Sequence, residues 1–407
     1  MSISIASEAA FGPLGKAALR PPRIVVGITS AQTCLNLGGR LRSLREAGFE
    51  VTLVSSPGEL LEQTAVREGV RSIAIPMERD VALFADLVAL ARLWWLLWRL
   101  KPDMTEFSTP KAGLLGTLAA QFAGVQTRVY MLRGLKLESS TGVKRRILLA
   151  AERMASACAH LVLCNSESLR KKSLALGVAP AGKLYLLGNG SSNGVDAERF
   201  SPGPRRIRKQ LGLQLEDLVL GFVGRLTRDK GLPELLDAFD SILVAEPRAR
   251  LLLVGWFDAS EDALCEGLQR RILSHPRIHC TGFVGDTAPY YRAMDVMVLP
   301  TWREGFPNVV LEASATGIPV VTTLSTGSRD AVVPEVTGLL IPPGYPEAIC
   351  EAVLALLRNA ARRRRMGQAA RAWVLENFVN RHVLGLTTEL YKKMVLEAGA
   401  AERLRAG

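Results

Sequence analysis

Residues 218–239, LVLGFVGRLTRDKGLPELLDAF, contain one complete strand–loop–helix unit. The run 218–224 is short and continuously apolar, which is typical of a parallel strand buried on both faces. A polar loop follows, and a helix is predicted to begin near Pro233, because proline is favoured in the first turn of a helix. Repetition of this unit along the chain would predict a doubly wound α/β fold.

The same alternation of short apolar runs and helical patterns extends through all 407 residues. In the first half we predict strands over 23–29, 50–56, 71–77, 103–109, 127–133, 160–166 and 183–189, and helices over 33–47, 81–100, 111–123, 142–158 and 167–177. In the second half we predict strands over 218–224, 250–255, 278–284, 295–301, 319–323 and 338–342, and helices from Pro233, over 260–274, from Pro307 and at the C-terminal end. The sequence therefore predicts an α/β protein with parallel, doubly wound sheets.

A cluster of Gly, Ser, Asn and Pro over 188–206 interrupts this alternation and predicts a linker between two domains. We expect a loose tail over 1–21, a Rossmann-like domain over 22–200 and a second one over 201–375. The helices over 376–407 are expected to pack back on the first domain. Ligands of such sheets bind at the carboxyl ends of the strands, so the expected site is the cleft between the two domains.

The net charge of +12 is concentrated in the first half of the chain. Residues 1–200 carry 25 Lys and Arg against 16 Asp and Glu, whereas residues 201–407 carry 26 against 23. The first half is therefore expected to meet a polyanion or an anionic membrane surface, with a solvated basic face as the alternative. The six cysteines have no CxxC spacing, which indicates reduced thiols in a cytosolic protein and argues against a zinc site.

The apolar segment VALFADLVALARLWWLLWRL (81–100) is nearly long enough to cross a bilayer, but charged side chains interrupt it. Arg92 and Arg99 are seven residues apart and share one helical face, and the tryptophans at 94, 95 and 98 are expected to group elsewhere. The pattern predicts an amphipathic helix. This helix is either buried in the first domain or lies in a membrane interface, and a span is the least favoured alternative.

The loop after the strand at 218–224 carries two cations. Arg225 and Lys230 lie at the carboxyl end of that strand, and the arginine fork together with the lysine point charge suits the oxygens of a diphosphate. Gly224 and Gly231 would let the backbone approach such a ligand closely. The alternative is a pair of solvated loop cations.

A second loop lies in TWREGFPNVVLEASATG (301–317). Pro307 is well placed as the first residue of a helix, which would leave the amides of the next three residues free for phosphate oxygens. Glu304 precedes this helix and Glu312 lies inside it. Because a carboxylate can accept hydrogen bonds from two vicinal hydroxyls, each glutamate could hold one sugar. The alternatives are a charge at a helix start for Glu304 and an exposed helical side chain for Glu312.

Four motifs together resemble the retaining family-4 glycosyltransferases, which have the GT-B fold. They are GRLTRDKG (224–231), EGFPNVVLEASATGIPVV (304–321), NGVDAERF (193–200) and GFVGD (282–286). The likeness covers essentially the whole chain from Ile24, and the paired glutamates are its most specific feature. The resemblance implies two Rossmann-like domains facing across a cleft, the first binding the acceptor and the second the nucleotide-sugar.

The resemblance also implies roles for individual residues. Glu304 would lie against the hydroxyls of the donor hexose, and Glu312 would bind the nucleotide ribose. Arg225 and Lys230 would hold the diphosphate and stabilise it as the leaving group. The other donor-binding residues would be Gly224, Gly305, Phe306, Asn308 and Val309, with the backbone near Phe283 and Val284 facing the base.

The segment STPKAGLLGTLAAQFAGVQTRVYMLRG (108–134) resembles the subgroup that builds bacterial capsule, exopolysaccharide or lipopolysaccharide repeat units. It implies transfer of a hexose-type sugar, most commonly from a UDP-sugar, to a saccharide carried on a polyprenyl diphosphate. It also implies a cytoplasmic protein that is peripheral on the inner face of the cytoplasmic membrane. No cofactor or metal is expected, because no Asp-x-Asp ends a strand and Arg225 with Lys230 supply the positive charge.

Two departures from the family pattern lie in the first domain. Many relatives have a Gly-Gly loop after the first strand, where this chain has Ser30-Ala31, and Gly38-Gly39 fall within the predicted first helix. Many also have a histidine near the donor sugar, where this chain has Arg133. Arg133 is expected to bind a phosphate of the acceptor or of the donor, or merely to cap its strand. Lys111, at a helix start, is a second candidate for the acceptor phosphate.

Two other classes of function stay open from the sequence. A nucleotide-sugar epimerase shares the fold, although the turn that carries both glutamates favours transfer. A non-catalytic, membrane-associated scaffold subunit of a polysaccharide assembly complex would also suit the basic first half. Nucleic-acid binding is disfavoured, because the basic residues are scattered and no recognisable module has interleaved aromatic residues.

Overall fold

The described residues, 20–78 and 82–406 of this computed structural model, form two parallel sheets flanked by helices. The strands of the first sheet are β1 (Arg23–Gly27), β2 (Glu50–Ser55), β3 (Arg71–Ala74), β4 (Met104–Ser108), β5 (Thr127–Leu132), β6 (Leu161–Cys164) and β7 (Leu184–Leu186), in the spatial order β3-β2-β1-β4-β5-β6-β7. All seven lie inside predicted strands. Apart from Arg20 and Pro21, the predicted tail over 1–21 lies outside the described residues.

The second sheet repeats this architecture with six strands. They are β8 (Leu218–Val223), β9 (Ala249–Val254), β10 (Ile278–Cys280), β11 (Val296–Leu299), β12 (Val320–Thr323) and β13 (Gly338–Ile341), in the order β10-β9-β8-β11-β12-β13. Helices cover both faces of these parallel strands, and the side chains of the strands form one hydrophobic core with those helices. The predicted α/β class with two doubly wound sheets is confirmed.

Helices connect nearly all of these strands. In the first half they are α1 (Arg40–Glu46), α2 (Glu59–Glu68), α3 (Leu83–Leu100), α4 (Pro110–Phe122), α5 (Gly142–Cys158) and α6 (Glu167–Ala175). In the second half they are α7 (Ile207–Gln210), α8 (Leu232–Ala245), α9 (Glu266–Ser274), α10 (Ala288–Ala293), α11 (Asn308–Ala315), α12 (Pro346–Leu357), α13 (Ala360–Asn377) and α14 (Asn380–Ala406). The sequence pattern did not predict α2, α7 and α10, and it began α9 six residues too early.

Gly38 and Gly39 break the helix that was predicted over 33–47. They separate a 3-10 turn (Ala31–Asn36) from α1, and their φ angles of 47° and 78° are compatible with a turn but not with a helix interior. The prediction that these glycines lie within the first helix is therefore wrong. A double-glycine loop does follow β1, but it lies eight residues after Ser30.

The chain passes between the two sheets twice. Residues 190–195 of the segment 188–206 are buried, and Asn380 at the start of α14 donates hydrogen bonds to the carbonyls of Gly38 at 3.0 Å and Asn193 at 2.8 Å. Beyond this point α14 packs on the first sheet, where the Tyr391 side chain is fully buried in the core. The last helix of the chain thus completes the core of the first sheet.

One face of α3 packs into the core of the first sheet, through Ala89, Leu93, Leu96 and Leu97. The other face exposes large apolar side chains, namely Leu83, Phe84, Leu87, Trp94, Trp95 and Trp98. The Arg99 guanidinium lies over the Trp95 ring, 5.3 Å from its centroid, so the prediction that the arginines and tryptophans occupy separate faces is wrong. Within the described ranges, no helix has both the length and the apolar character needed to cross a bilayer.

Candidate active site

The strand order of the second sheet reverses at β8, which pairs with β9 on one side and with β11 on the other. At such a switch point the loops that follow the two central strands diverge and leave a crevice at the carboxyl edge. The loop after β8 carries Arg225 and Lys230, and the loop after β11 carries Glu304. The topology therefore brings these three charged side chains to one crevice.

Each of the two cations has a carboxylate partner in this crevice. Lys230 Nζ forms an ion pair with Glu304 Oε1, and the two side chains are only 16% and 18% exposed. Arg225 Nη1 lies 2.5 Å from Oδ2 of Asp258, which belongs to the loop after β9. Lys230 and Arg225 are therefore not freely solvated loop cations.

A second set of ion pairs holds the loops of the crevice together. Arg303 donates to Asp229 at 3.0 Å and to Asp262 at 3.3 Å, and the Thr227 hydroxyl donates to Asp229 at 2.6 Å. Burial alone would raise the pKa of Asp229, but the charge of Lys230, the Thr227 hydrogen bond and the nearby arginines lower it below its usual value. Asp229 is therefore ionised and joins the loop after β8 to the loop after β11.

The two glycines of the loop after β8 have different surroundings. Gly224 has a φ of 144°, and a Cβ there would meet nothing closer than 3.8 Å, so its backbone is open to the crevice. Gly231 has a φ of 75°, and a Cβ there would lie 2.1 Å from the carbonyl oxygen of Pro300. Gly231 is therefore required for the contact between two loops, and not for close approach to a ligand.

The start of α11 differs by one residue from the prediction. Pro307 is the N-cap, and the Val310 amide donates to its carbonyl at 3.0 Å, so the expectation of a free Val310 amide is wrong. The amides of Asn308 and Val309 have no acceptor among the described residues. These two amides remain available to an anion at the positive end of the helix.

Glu312 lies on α11 and is half-buried, so the alternative of an exposed helical side chain is wrong. Its Oε2 accepts a hydrogen bond from the Tyr291 hydroxyl at 2.7 Å. Burial raises the pKa of Glu312 to about 7, against the opposing effects of the Tyr291 hydrogen bond and the Arg199 charge. Hydroxyl groups of a ligand that donate to this carboxylate would favour its ionised form.

The remaining predicted donor residues have apolar side chains with different exposures. Phe306 is buried and packs against Phe378 at 5.3 Å between ring centroids, so only its backbone is available to a ligand. Phe283 is exposed and makes an edge contact with Trp256 at 5.4 Å, and Val284 is half-buried beside it. Loops after β9 and β10 therefore provide an aromatic pair near the predicted base site.

Loops from the first domain contact the Glu304 loop directly. A Cβ on Gly305 would lie 1.9 Å from the Arg133 carbonyl oxygen, and a Cβ on Gly327 would lie 2.4 Å from the Gly305 carbonyl oxygen. The Ser168 hydroxyl accepts from the Gly327 amide at 2.8 Å and donates to Asp330. The predicted donor-sugar loop is thus enclosed by both domains.

The two predicted acceptor residues are in different electrostatic states. Lys111 Nζ lies 2.6 Å from Asp86 Oδ1 on α3, so a carboxylate compensates its charge. Arg133 follows β5 directly, and its Nη1 donates to Ser192 Oγ at 3.3 Å. The Nε and Nη2 atoms of Arg133 are inaccessible to solvent and have no hydrogen-bond partner in the described part of the chain.

Comparison with known proteins places this arrangement in a family. A model described as "Glycosyl transferases group 1" matches residues 217–359, and one described as "Glycosyl transferase 4-like domain" matches residues 38–190. The capsular polysaccharide biosynthesis glycosyltransferase CapM of Staphylococcus aureus is 34% identical over 372 residues, which cover 91% of this chain and 97% of CapM. The chain belongs to the group 1 glycosyltransferases.

Two further comparisons concern a second glycosyltransferase and a solved structure. The Escherichia coli UDP-Gal:alpha-D-GlcNAc-diphosphoundecaprenol alpha-1,3-galactosyltransferase is 29% identical over 302 residues, covering 72% of this chain and 76% of that protein. The crystal structure of Anabaena HepE in complex with UDP-glucose aligns with a TM-score of 0.76 at 20% identity, covering 91% of this chain and 99% of HepE. The predicted GT-B fold is confirmed.

Sequence reasoning missed several residues of this candidate site. Asp258 and Tyr291 lie 33 and 21 residues from the side chains that they hold, and no local pattern marks either of them. Arg303 did offer a signal, because it stands immediately before Glu304 in a loop at a strand end. An arginine directly beside a glutamate in such a loop indicates an ion-pair network more strongly than an isolated glutamate does.

Proposed function

We propose that this glycosyltransferase moves a hexose from a UDP-sugar to a saccharide carried on a polyprenyl diphosphate, with retention of configuration, during assembly of a capsule-type polysaccharide. The ion pair between Lys230 and Glu304, with Arg225 in the same crevice, carries the proposal. The role of CapM in capsular polysaccharide biosynthesis, the diphosphoundecaprenol acceptor of the E. coli relative and the UDP-glucose bound to HepE support it.

On binding, the donor would replace the carboxylates that are paired with the cations of the crevice. Its diphosphate would contact Arg225 and Lys230, the open backbone at Gly224 and the free amides of Asn308 and Val309. The carboxylate of Glu304 would then turn from Lys230 to the hexose hydroxyls. The ribose would donate to Glu312, and the base would lie near Phe283 and Val284.

Transfer would proceed by electrostatic stabilisation of the leaving group. As the bond between the hexose C1 and the diphosphate oxygen breaks, negative charge grows on the phosphate, where Arg225 and Lys230 stabilise it. The acceptor hydroxyl bonds to C1 from the same face, and its proton passes to the departing phosphate oxygen. Among the described residues, no three His, Cys, Asp or Glu side chains are grouped to hold a metal ion, and metal-independent transfer stays a prediction.

A lipid-linked acceptor requires the enzyme to reach a membrane surface, and α3 offers a suitable face. Its exposed Trp94, Trp95 and Trp98 have rings that suit the headgroup level, and the exposed Arg92 and Arg99 suit anionic lipids. We assign the enzyme to the inner face of the cytoplasmic membrane as a peripheral protein, bound through this helix.

Transfer is tested by incubating the purified enzyme with UDP-, GDP- and ADP-sugars and a short-chain polyprenyl-diphosphate saccharide, with and without EDTA. We expect one UDP-sugar to give a product whose new linkage, read by NMR, keeps the anomeric configuration of the donor, with EDTA having no effect. Isomerisation of a nucleotide-sugar without an acceptor would indicate an epimerase. A folded protein that binds no nucleotide-sugar would indicate a scaffold.

The membrane assignment is tested separately, by sedimentation with vesicles of anionic or zwitterionic lipid. Replacing Trp94, Trp95 and Trp98 together by serine should reduce binding to anionic vesicles by about tenfold, because the apolar contact is lost. The matched control is Val244→Ser, an exposed apolar position in the second domain. Equal binding by the triple variant and the wild type would remove α3 from the proposal.

A further inference from the structure

Arg133 is a cation with no carboxylate in ion-pair distance among the described residues. Its Nε and Nη2 atoms are inaccessible to solvent and unpartnered among the described residues, and its single hydrogen bond goes to the neutral Ser192 hydroxyl. Burial lowers the pKa of Arg133 to about 10, and the Arg40 charge acts in the same direction, whereas Glu106 and Tyr391 act against it. The side chain is still charged at neutral pH, and leaving such a charge desolvated is unfavourable unless a partner arrives.

The neighbouring charges do not neutralise Arg133. Arg40 is fully buried, and its Nη2 lies 2.6 Å from Oε2 of the equally buried Glu106. The Tyr391 hydroxyl donates to the same Glu106 oxygen at 2.6 Å. Glu106 is thus already paired with Arg40, so Arg40, Glu106 and Arg133 together carry one excess positive charge.

Arg133 is also held at the place where the proposed transfer occurs. Its carbonyl oxygen touches Gly305, next to the predicted hexose-binding Glu304. Ser192 fixes both arginines, because its carbonyl accepts from Arg40 Nη1 at 2.9 Å while its hydroxyl accepts from Arg133. Ser192 is itself buried, so the arrangement is built into the cleft.

We propose that Arg133 binds an oxyanion of a sugar substrate beside the transfer point, either the phosphate next to the acceptor sugar or a carboxylate on the donor hexose. The inference rests on the proposed function, because that function supplies the sugar substrates. Nε and Nη2 have no partner among the described residues and form the two parallel donors that a carboxylate or phosphate accepts. Because both atoms are closed to solvent here, the side chain must turn towards the cleft to bind the ligand. Substrate binding thus supplies the counter-charge that the protein lacks at this position.

A structural explanation competes with this assignment. Glu106 Oε1 also has no partner in the described part of the chain, and a water molecule that bridges it to Arg133 would give the arginine a purely internal role. In that case, substitution of Arg133 would lower the stability of the protein but would not change its relative affinity for charged and neutral ligands. Ligand discrimination is therefore the deciding measurement.

The experiment measures binding to the enzyme saturated with UDP, which occupies the diphosphate crevice. N-acetylglucosamine 1-phosphate and glucuronate are the two oxyanion probes, and methyl N-acetylglucosaminide and glucose are their neutral counterparts. The variants are Arg133→Gln, Arg133→Lys and, as a matched loss of charge elsewhere, Arg362→Gln on the surface of the second domain. Melting temperatures of all variants are recorded first.

We expect the wild type and Arg362→Gln to bind one oxyanion about 10- to 100-fold more tightly than its neutral counterpart. Arg133→Gln should lose this preference and Arg133→Lys should keep part of it, and the responding probe identifies the source as acceptor phosphate or donor carboxylate. Equal binding of charged and neutral probes by the wild type, or a preference that survives in Arg133→Gln, would overturn the inference. Absence of UDP binding would instead contradict the proposed function, so the two failures are distinguishable.

Discussion

The crevice at the carboxyl ends of β8 and β11 differs from the Arg133 position in the first domain in how its positive charges are compensated. In the crevice, Lys230 is paired with Glu304 and Arg225 with Asp258 before any ligand is present. In the first domain, Arg133 has no carboxylate within ion-pair distance among the described residues. Both cations of the crevice are thus neutralised by carboxylates without a ligand, whereas the charge of Arg133 is not.

This difference separates two ways of binding an anion. Paired cations are held in position, and an incoming diphosphate must displace a carboxylate from each, so part of the attraction is lost in the exchange. A cation such as Arg133, which is half-buried with Nε and Nη2 closed to solvent, gains the whole interaction with its ligand, although the folded protein carries an unfavourable, partly desolvated charge until then. Paired cations therefore favour an ordered crevice and release of the product. An unpaired cation favours discrimination between charged and neutral substrates.

The largest expected effect concerns the crevice. Lys230→Ala should lower kcat by about 10²- to 10³-fold, because a preorganised positive group no longer stabilises the departing diphosphate. Steady-state kinetics with saturating donor measure the effect, and Lys209→Ala on the exposed surface of α7 is the control. A variant that changes KM but keeps the wild-type kcat would show that Lys230 only binds the donor.

Glu312→Ala should raise the donor KM about 10- to 100-fold and leave kcat nearly unchanged, since the ribose contact is the same in the ground state and in the transition state. Tyr291→Phe removes only the hydrogen bond to Glu312 and should have a smaller effect in the same direction. Titration of UDP into each variant measures the change. An unaltered UDP affinity in Glu312→Ala would remove Glu312 from the donor site.

The raised pKa of Glu312 predicts a pH dependence of up to tenfold per pH unit. Donor hydroxyls bind the ionised carboxylate, so UDP affinity should fall as the pH drops below about 7 and stay constant above it. The free enzyme holds this proton more tightly than the unfolded chain does, so its free energy of unfolding should decrease as the pH rises from about 4.5 to about 7. In Glu312→Gln the pH dependence of UDP affinity should disappear, and its persistence would assign it to another group. The pH dependence of stability should become smaller but remain in part, because burial also raises the pKa of Glu152 to about 7.

The smallest effect tests the exchange of partners directly. Asp258→Asn removes the carboxylate that competes with the diphosphate for Arg225, and UDP should then bind about two- to fivefold more tightly. Glu335→Gln, which breaks the exposed ion pair with Arg362, is the matched control and should leave UDP affinity unchanged. Weaker UDP binding in Asp258→Asn would mean that the carboxylate positions Arg225 for the ligand.

The fold was largely predictable because both sheets consist of short apolar strands. A parallel strand that is covered by helices on both faces needs apolar side chains on both faces, and this gives a continuous apolar run in the sequence. The errors lie where a local pattern is weak or misleading. Only four of the ten residues of α2 are buried, so the helix has little apolar periodicity, and Gly38 and Gly39 were assigned to a helix although they form its preceding turn. Likewise, heptad spacing placed Arg92 and Arg99 together but did not reveal that Arg99 stacks on Trp95.

The candidate site divides in the same way. Arg225, Lys230, Glu304 and Glu312 could be selected because they lie in the two motifs that resemble the family, GRLTRDKG (224–231) and EGFPNVVLEASATGIPVV (304–321). Their partners could not, since Asp258 reaches Arg225 from another strand and Tyr291 reaches Glu312 from another helix. Whether a predicted cation is already paired is decided by such distant contacts, which is why Lys111 and Arg133 looked alike in the sequence and differ in the structure.

The return of α14 to the first sheet has a consequence for synthesis on the ribosome. Tyr391 closes over the buried ion pair of Arg40 with Glu106, yet it is made 285 residues after Glu106. Until α14 is translated, the first domain has emerged but lacks the side chain that covers the buried pair of Arg40 and Glu106. A chain cut short before α14 would therefore contain both sheets in full and still lack the Tyr391 hydroxyl that bonds to Glu106 in the core of the first sheet.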